Sequence, residues 1–250
     1  MVMLRHGLLV VFAFLALIFA SVPMLNAEDS LVVGAFSSAA EGPLPPTWKP
    51  LLFKKQKGAN QTEYVVVRDG DTTVVRAESR AAASALVHAI DLDLKDYPVL
   101  RWRWKVSNVI ASGNLAKKEG DDYAARVYVT FAYEPDKVSF GKKVKYKAAR
   151  LLFGDLPFGV MTYIWDNQAP IGTVANNAYA GEFTKMIVVQ SGEARAGHWV
   201  DEERNVYEDY RRAFGEDPPR VNGVAIMTDT DNTGERATAF YGDLVFTKVR

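Results

Sequence analysis

The 250-residue chain has no cysteine. That excludes disulfides, thiolate metal sites, a cysteine nucleophile and a lipid-modified cysteine. Histidine is scarce: His6, His88 and His198 are the only three. His6 lies in an N-terminal leader (below), so a three-histidine zinc site is excluded. Neither charge is in excess, with 30 basic and 30 acidic residues. Net charge therefore implies no nucleic-acid partner, and no membrane partner once the leader is removed. Several catalytic signatures are also missing. There is no Gly-x-Ser-x-Gly elbow, no His-Glu-x-x-His and no phosphate loop. The Glu-x-Asp-x-x-Glu strand of one jelly-roll glycosidase family is absent too, because Ala124 stands where its second Glu would be.

Long apolar runs are lacking except at the N-terminus. Arg5 and His6 precede an apolar run, Gly7 to Val22, closed by Pro23. It is short against the roughly 20 residues of a membrane span. A basic start, a short apolar stretch and small residues at Asn26-Ala27 describe a secretory signal peptide cut after Ala27. The expected product is a single periplasmic or secreted domain over residues 28–250. Without disulfides it must rest on its own core, and it is long enough to build one.

What is present is mostly β-like. "DSLVVGAFSS" is a short strand, followed by a Pro-rich loop ending at Trp48. Asp69-Gly70 between two β-branched runs is a hairpin signal. In "SALVHAIDLDL", Leu86, His88, Ile90, Leu92 and Leu94 share one face. In "YPVLRWRWKVS", Leu100, Trp102, Trp104 and Val106 oppose Arg101, Arg103 and Lys105. In "YAARVYVTFAY", Val127, Val129 and Phe131 oppose Arg126, Tyr128 and Thr130. Four further strand-like runs follow. Two stretches have helical spacing: "FGKKVKYKAARLLFG", which Gly154 suits at its end, and "DEERNVYEDYRRAFGEDPP". The second is capped at or just before Asp201, with Trp199 as its packing staple, and is stopped by Gly215 and Pro218. Many short strands and two helices predict an all-β sandwich, of jelly-roll or carbohydrate-binding-module-like kind, with two peripheral helices. A closed barrel is the alternative.

Several stretches together resemble one family. They are "FSSAAEGPLPPTWKPLLF", "YPVLRWRWKV", "GDDYAARVYVTF", "TYIWDN", "RNVYEDYRRAFGEDPP" and "AIMTDTDNTGERATAFYGDLVF". The chain is similar, from about Phe36 onward, to the bacterial exported family known as domain of unknown function 3047. The resemblance implies an exported β-sandwich and no particular activity. A weaker resemblance is to carbohydrate-binding sandwich modules, through Phe36, Trp48 and the strand Tyr241 to Phe246. It is one of architecture, and architecture does not fix function.

Candidate chemistry falls in three places. "DTDNTG" offers hard oxygens from Asp229, Asp231 and Asn232. The calcium loop of a helix-loop-helix hand is ruled out, because its twelfth position falls on Phe240. A different calcium site, the rim of a binding cleft, or a turn whose side chains bond their own backbone remain. "EGDDYAARVYVT" sets Asp121 and Asp122 before a strand carrying Arg126 and Tyr128. It reads as an acid–base pair or as an ordinary ion pair. "TYIWDN" puts Trp165 beside Asp166 and Asn167, either a stacking ring with hydrogen-bonding neighbours for a sugar or a strand end with a core Trp.

The expectation assembled from these is an exported, non-catalytic binding protein of the cell envelope, with a polysaccharide or similar polar molecule as partner. Arg103, Arg126, Tyr128, Trp165 and Asn167 line its groove, and Asp122, Asp229, Asp231 and Asn232 stand at its rim. Two other classes stay open. One is a polysaccharide hydrolase or lyase with Asp122 and Asp229 as its acid–base pair. The other is a protein-partner module. No cofactor is expected unless Asp229 and Asp231 hold calcium.

Overall fold

The computed structural model describes residues 29–52, 60–137, 140–153 and 158–249. The expected signal segment lies outside the described residues.

The chain forms an all-β sandwich with two peripheral helices. Its strands are β1 (Ser30–Gly34), β2 (Lys49–Leu51), β3 (Glu63–Asp69), β4 (Thr72–Arg80), β5 (Ala85–Leu92), β6 (Val99–Val106) and β7 (Ala125–Phe131). After helix α1 (Phe140–Phe153) come β8 (Gly159–Asp166), β9 (Val174–Asn177), β10 (Gly181–Ser191) and β11 (Val200–Asn205). Helix α2 (Val206–Phe214), β12 (Val221–Met227) and β13 (Arg236–Thr247) complete the order. The first sheet runs β11-β6-β13-β4-β3, with β1 beside β13. The second runs β2-β5-β12-β7-β8-β10-β9. All named pairings are antiparallel except β8 with β10.

Alternation decides what lies between the sheets. On β6, Leu100, Trp102, Trp104 and Val106 are buried, while Arg101, Arg103 and Lys105 point outward. On β7, Val127, Val129 and Phe131 turn inward. The two tryptophans meet rings from the opposite sheet. Trp102 packs on Tyr163 of β8 at 5.2 Å between centroids, and Trp104 on Trp165 at 6.0 Å. Each such ring contributes on the order of 3 kcal/mol by leaving water. The β3–β4 turn is closed by Gly70, at φ +65°, a region that favours glycine.

Helix α2 begins later than its periodicity suggests. Residues 200–205 are strand β11, paired along β6 from Val200–Trp104 to Asn205–Val99. Asn205 is the cap, its side chain accepting from the Glu208 N–H at 3.0 Å. Gly215, at φ +75°, ends the helix as expected. Charge-rich "VDEERN" has no apolar stripe of its own, so a helix and an edge strand read alike there. Buried Asp209 then ties α2 down: it accepts from both ends of the Arg204 fork (2.8 and 2.6 Å) and from the Tyr163 hydroxyl (3.1 Å). Gly154, the expected stop of α1, lies outside the described residues. Among the described residues no helix is long and apolar enough to cross a membrane.

Candidate functional site

The "DTDNTG" loop carries the chain from β12 of one sheet to β13 of the other. Thr228, Asp229 and Thr230 are buried within it. The Asp229 carboxylate takes the Arg126 fork, with Nε at 2.8 Å and a second contact from the terminal nitrogen, and also the Tyr123 N–H at 3.3 Å. Asp122 accepts from the Asn232 N–H (3.3 Å), the Thr233 N–H (2.7 Å) and the Thr233 hydroxyl (2.7 Å). Gly234 at φ +73° closes the corner, its N–H donating to the Thr230 carbonyl at 3.0 Å. Asp122 thus serves the turn, and Asp229 ties its start to Arg126 and the Tyr123 backbone.

Arg126 is buried on the outer side of β7, its guanidinium over the Tyr123 ring at 4.3 Å from the centroid. Burial opposes its charge, but Asp229 and Asp121 hold its proton more firmly than usual. Burial pushes the Asp229 carboxyl upward, against the pull of the same guanidinium. The two Arg126–Asp229 contacts have the geometry of a charged, bidentate pair. Oxygens of Asp122, Asp229 and Asp231 lie within 4.8 Å of one another, with Asp231 exposed. This donor set fits a divalent cation in chemistry. The lone pairs of Asp122 and Asp229 are already directed at Arg126 and the loop backbone, so the arrangement does not need one. The same engagement removes Asp122 and Asp229 as an acid–base pair, for neither carboxylate faces a cleft.

The groove expected from sequence is not assembled. Trp165 is 1% exposed, lies between the sheets, and donates to the Gly192 carbonyl at 3.0 Å. It cannot stack on a sugar. Asn167 donates to the Ala111 and Gly113 carbonyls (3.1 and 3.0 Å) and fastens the loop before β7. Tyr128 is half-buried on the second sheet, with its hydroxyl on the Met227 sulfur at 3.5 Å. Asn232 bonds the Tyr179 hydroxyl. Arg103 is on β6 of the first sheet, so it shares no face with Arg126 and Tyr128. Much of the outer face of the second sheet is closed by apolar packing. Tyr123, Ile164, Met186 and Val188 form a small core beneath Leu115, and Tyr128 lies on Ala83, Ala85 and Met227.

The first sheet's outer face is different. It carries an open groove of about 530 Å³, lined by residues of β4, β6, β11 and β13. Register explains its charges. Asp201 and Glu203 of β11 stand opposite Arg103 and Arg101 of β6. On the other side β13 bulges between Tyr241 and Leu244, which sets Gly242 and Asp243 beside Arg103. Arg101 pairs with Glu203 at 2.8 Å. Asp243 accepts from the Ser37 N–H at 2.8 Å and its hydroxyl at 2.5 Å. Arg103 makes no ion pair with any described residue, and its Nε is sealed from solvent without a partner.

Arg103 is nonetheless held in place. A Cβ on Gly242 would come within 2.4 Å of its Cγ, so its stem lies where only glycine leaves room. Its guanidinium stacks on the Trp199 ring at 4.1 Å. The Trp199 indole N–H donates to Asp69 at 2.6 Å, and Asp69 also takes Lys105 at 2.7 Å. The Lys105 hydrogen bond, with help from Trp199, holds the Asp69 carboxyl below its usual range. Of this group the sequence reading had only Arg103. The missed signal is alternation in "WVDEERN": Trp199, just before β11, continues the face of Asp201 and Glu203. Trp199 is therefore not the staple of α2.

Solved structures of similar shape are remote in sequence. A family 11 carbohydrate-binding module of the cellulosomal cellulase Lic26A-Cel5E of Clostridium thermocellum is 9% identical, at TM-score 0.45, over 90% of this chain and 97% of that one. The carbohydrate recognition domain of Emp47p is 11% identical, at TM-score 0.43, over 90% and 97%. The Trichoderma harzianum endoglucanase 3 of family GH12 is 8% identical, at TM-score 0.40, over 91% and 100%. Likenesses this distant bear on neither ligand nor activity. No curated protein matches the sequence. A family model does match, from residue 46 to residue 245, and by it the chain belongs to the proteins of unknown function gathered as DUF3047.

Proposed function

We propose that the protein is an exported, non-catalytic binding protein of the cell envelope, and that it takes a saccharide or similar polyhydroxylated molecule in the outer groove of the first sheet. The observation that carries this is Arg103: a guanidinium with no ion-pair partner among the described residues, fixed by Trp199 and Gly242, in the lining of a 530 Å³ groove. A donor fixed before binding loses little freedom when it meets a ligand. Arg101 and Arg103 offer donors, while Asp201, Glu203 and Asp243 offer acceptors. Sugar hydroxyls both donate and accept, so they suit such alternation. Glu202 also lines the groove, and with four carboxylates against two guanidiniums a strongly anionic ligand is disfavoured.

The test is binding of the purified protein to an array of neutral and charged glycans, followed by titration of any hit. Arg103→Ala and Gly242→Ala should each weaken binding at least tenfold, about 1.4 kcal/mol. A hit that both variants bind as well as the parent does would place the ligand elsewhere. Release of shortened products on prolonged incubation would overturn the non-catalytic reading.

A further inference from the structure

The balanced net charge conceals a local imbalance. Helix α1, FGKKVKYKAARLLF, carries five basic residues and no acidic one. It is fixed to the edge of the sandwich by Tyr146, which is buried among Tyr133 (4.6 Å), Phe158 (5.3 Å) and Phe183 (6.0 Å). Lys145 turns back to Glu182 of β10 at 2.9 Å. At 100° per residue, Val144 lies about 200° from Tyr146, on the far side of the helix, and Phe140 stands one turn before it on the same stripe. Both are bare: Phe140 is 82% exposed and Val144 52%. Lys147 and Lys143, also one turn apart, lie about 60° and 100° to one side of Val144; Lys147 is exposed, Lys143 half-buried, and neither makes an ion pair with a described residue.

We infer that this outward face of α1 rests on an anionic lipid surface. An exposed aromatic and a valine beside unpaired lysines match the two contributions that hold an interfacial helix: burial of apolar side chains at the headgroup boundary and attraction to anionic lipid. An acidic polysaccharide or polypeptide would satisfy the lysines but leave Phe140 and Val144 in water. At 14 residues the helix is about 21 Å long and lies along the surface rather than crossing it. The inference concerns the edge of the sandwich near the start of β10 and is independent of the groove.

The absence of cysteine makes the test clean. Gly141→Cys introduces a single thiol where a Cβ meets nothing within 4 Å. It would carry an environment-sensitive dye. Glu193→Cys, exposed beyond the opposite end of β10, is the control site, and its dye should shift with neither lipid. Vesicles containing phosphatidylglycerol should shift the Gly141→Cys dye to the blue, and vesicles of phosphatidylcholine should not. The shift should vanish in Phe140→Ser. Lys143→Gln with Lys147→Gln should weaken its half-point roughly thirty-fold, at about 1 kcal/mol per basic residue. An equal shift with both lipids, no shift with either, or the same shift with polyglutamate in place of lipid would each overturn the inference.

Discussion

Tyr241 joins the two sheets through one oxygen. Its hydroxyl donates to the Met227 carbonyl at 2.6 Å, accepts from the Arg126 N–H at 3.3 Å and lies 3.0 Å from the Thr228 hydroxyl. All of these groups are buried, and an orphaned buried polar group costs about 1–3 kcal/mol. Tyr241→Phe should therefore lower unfolding stability by about 2–4 kcal/mol in denaturant titration, since more than one partner is stranded. A loss under 1 kcal/mol would mean that water replaces the hydroxyl. Trp165 shows what could not be read at this scale. Its neighbours Asp166 and Asn167 look like sugar-binding groups. However, β8 is covered on both faces, with Thr162 and Ile164 as buried as Tyr163 and Trp165. A strand without a polar face gives no clue to which side is the core.

At the scale of elements, β6 and β7 were legible because one face of each is apolar and the other charged. The β11–α2 boundary was not, because its position follows from pairing with β6 rather than from its own residues. The two-sheet placement of Arg103 and Arg126 was equally hidden: alternation gives a face but not the sheet. The corner loop can be tested directly. If Asp122 and Asp229 serve the turn, millimolar calcium should leave the melting temperature unchanged, whereas Asp122→Ala should lower it by removing three hydrogen bonds. A calcium-dependent rise of several degrees would show a resident ion instead. On β5, His88 is half-buried with its ring edge on Trp48 at 5.5 Å, and burial lowers its pKa. The unfolded histidine titrates near about 6.5. Below that pH the unfolded chain binds the proton more readily, so the histidine's contribution is present above it and is lost as pH falls through the folded value. Melting temperatures between pH 7 and 5 should decline less in His88→Gln than in the parent.

Across the whole molecule, the function proposed above puts binding on a different surface from the packing that gives stability. The inner faces of both sheets are filled by aromatic and aliphatic side chains, and the second sheet's outer face is largely closed by a smaller core. The first sheet's outer face keeps charged side chains in an open groove. A pair of substitutions should separate the two roles. Trp165→Ala empties a core position against Trp104 and should cost about 3–5 kcal/mol of stability. It reaches the groove only through the inward side of β6, so affinity for a bound glycan, measured where the variant is still folded, should stay within about twofold of the parent, under 0.5 kcal/mol. Gly242→Ala should do the reverse. Its new methyl group must displace the stem of Arg103 at Cγ rather than the core, so the stability loss should be smaller than that of Trp165→Ala while affinity falls at least about tenfold. Parallel loss of affinity and stability in both variants would mean that the groove's shape depends on core packing, and that Arg103 does not act as a separately positioned donor.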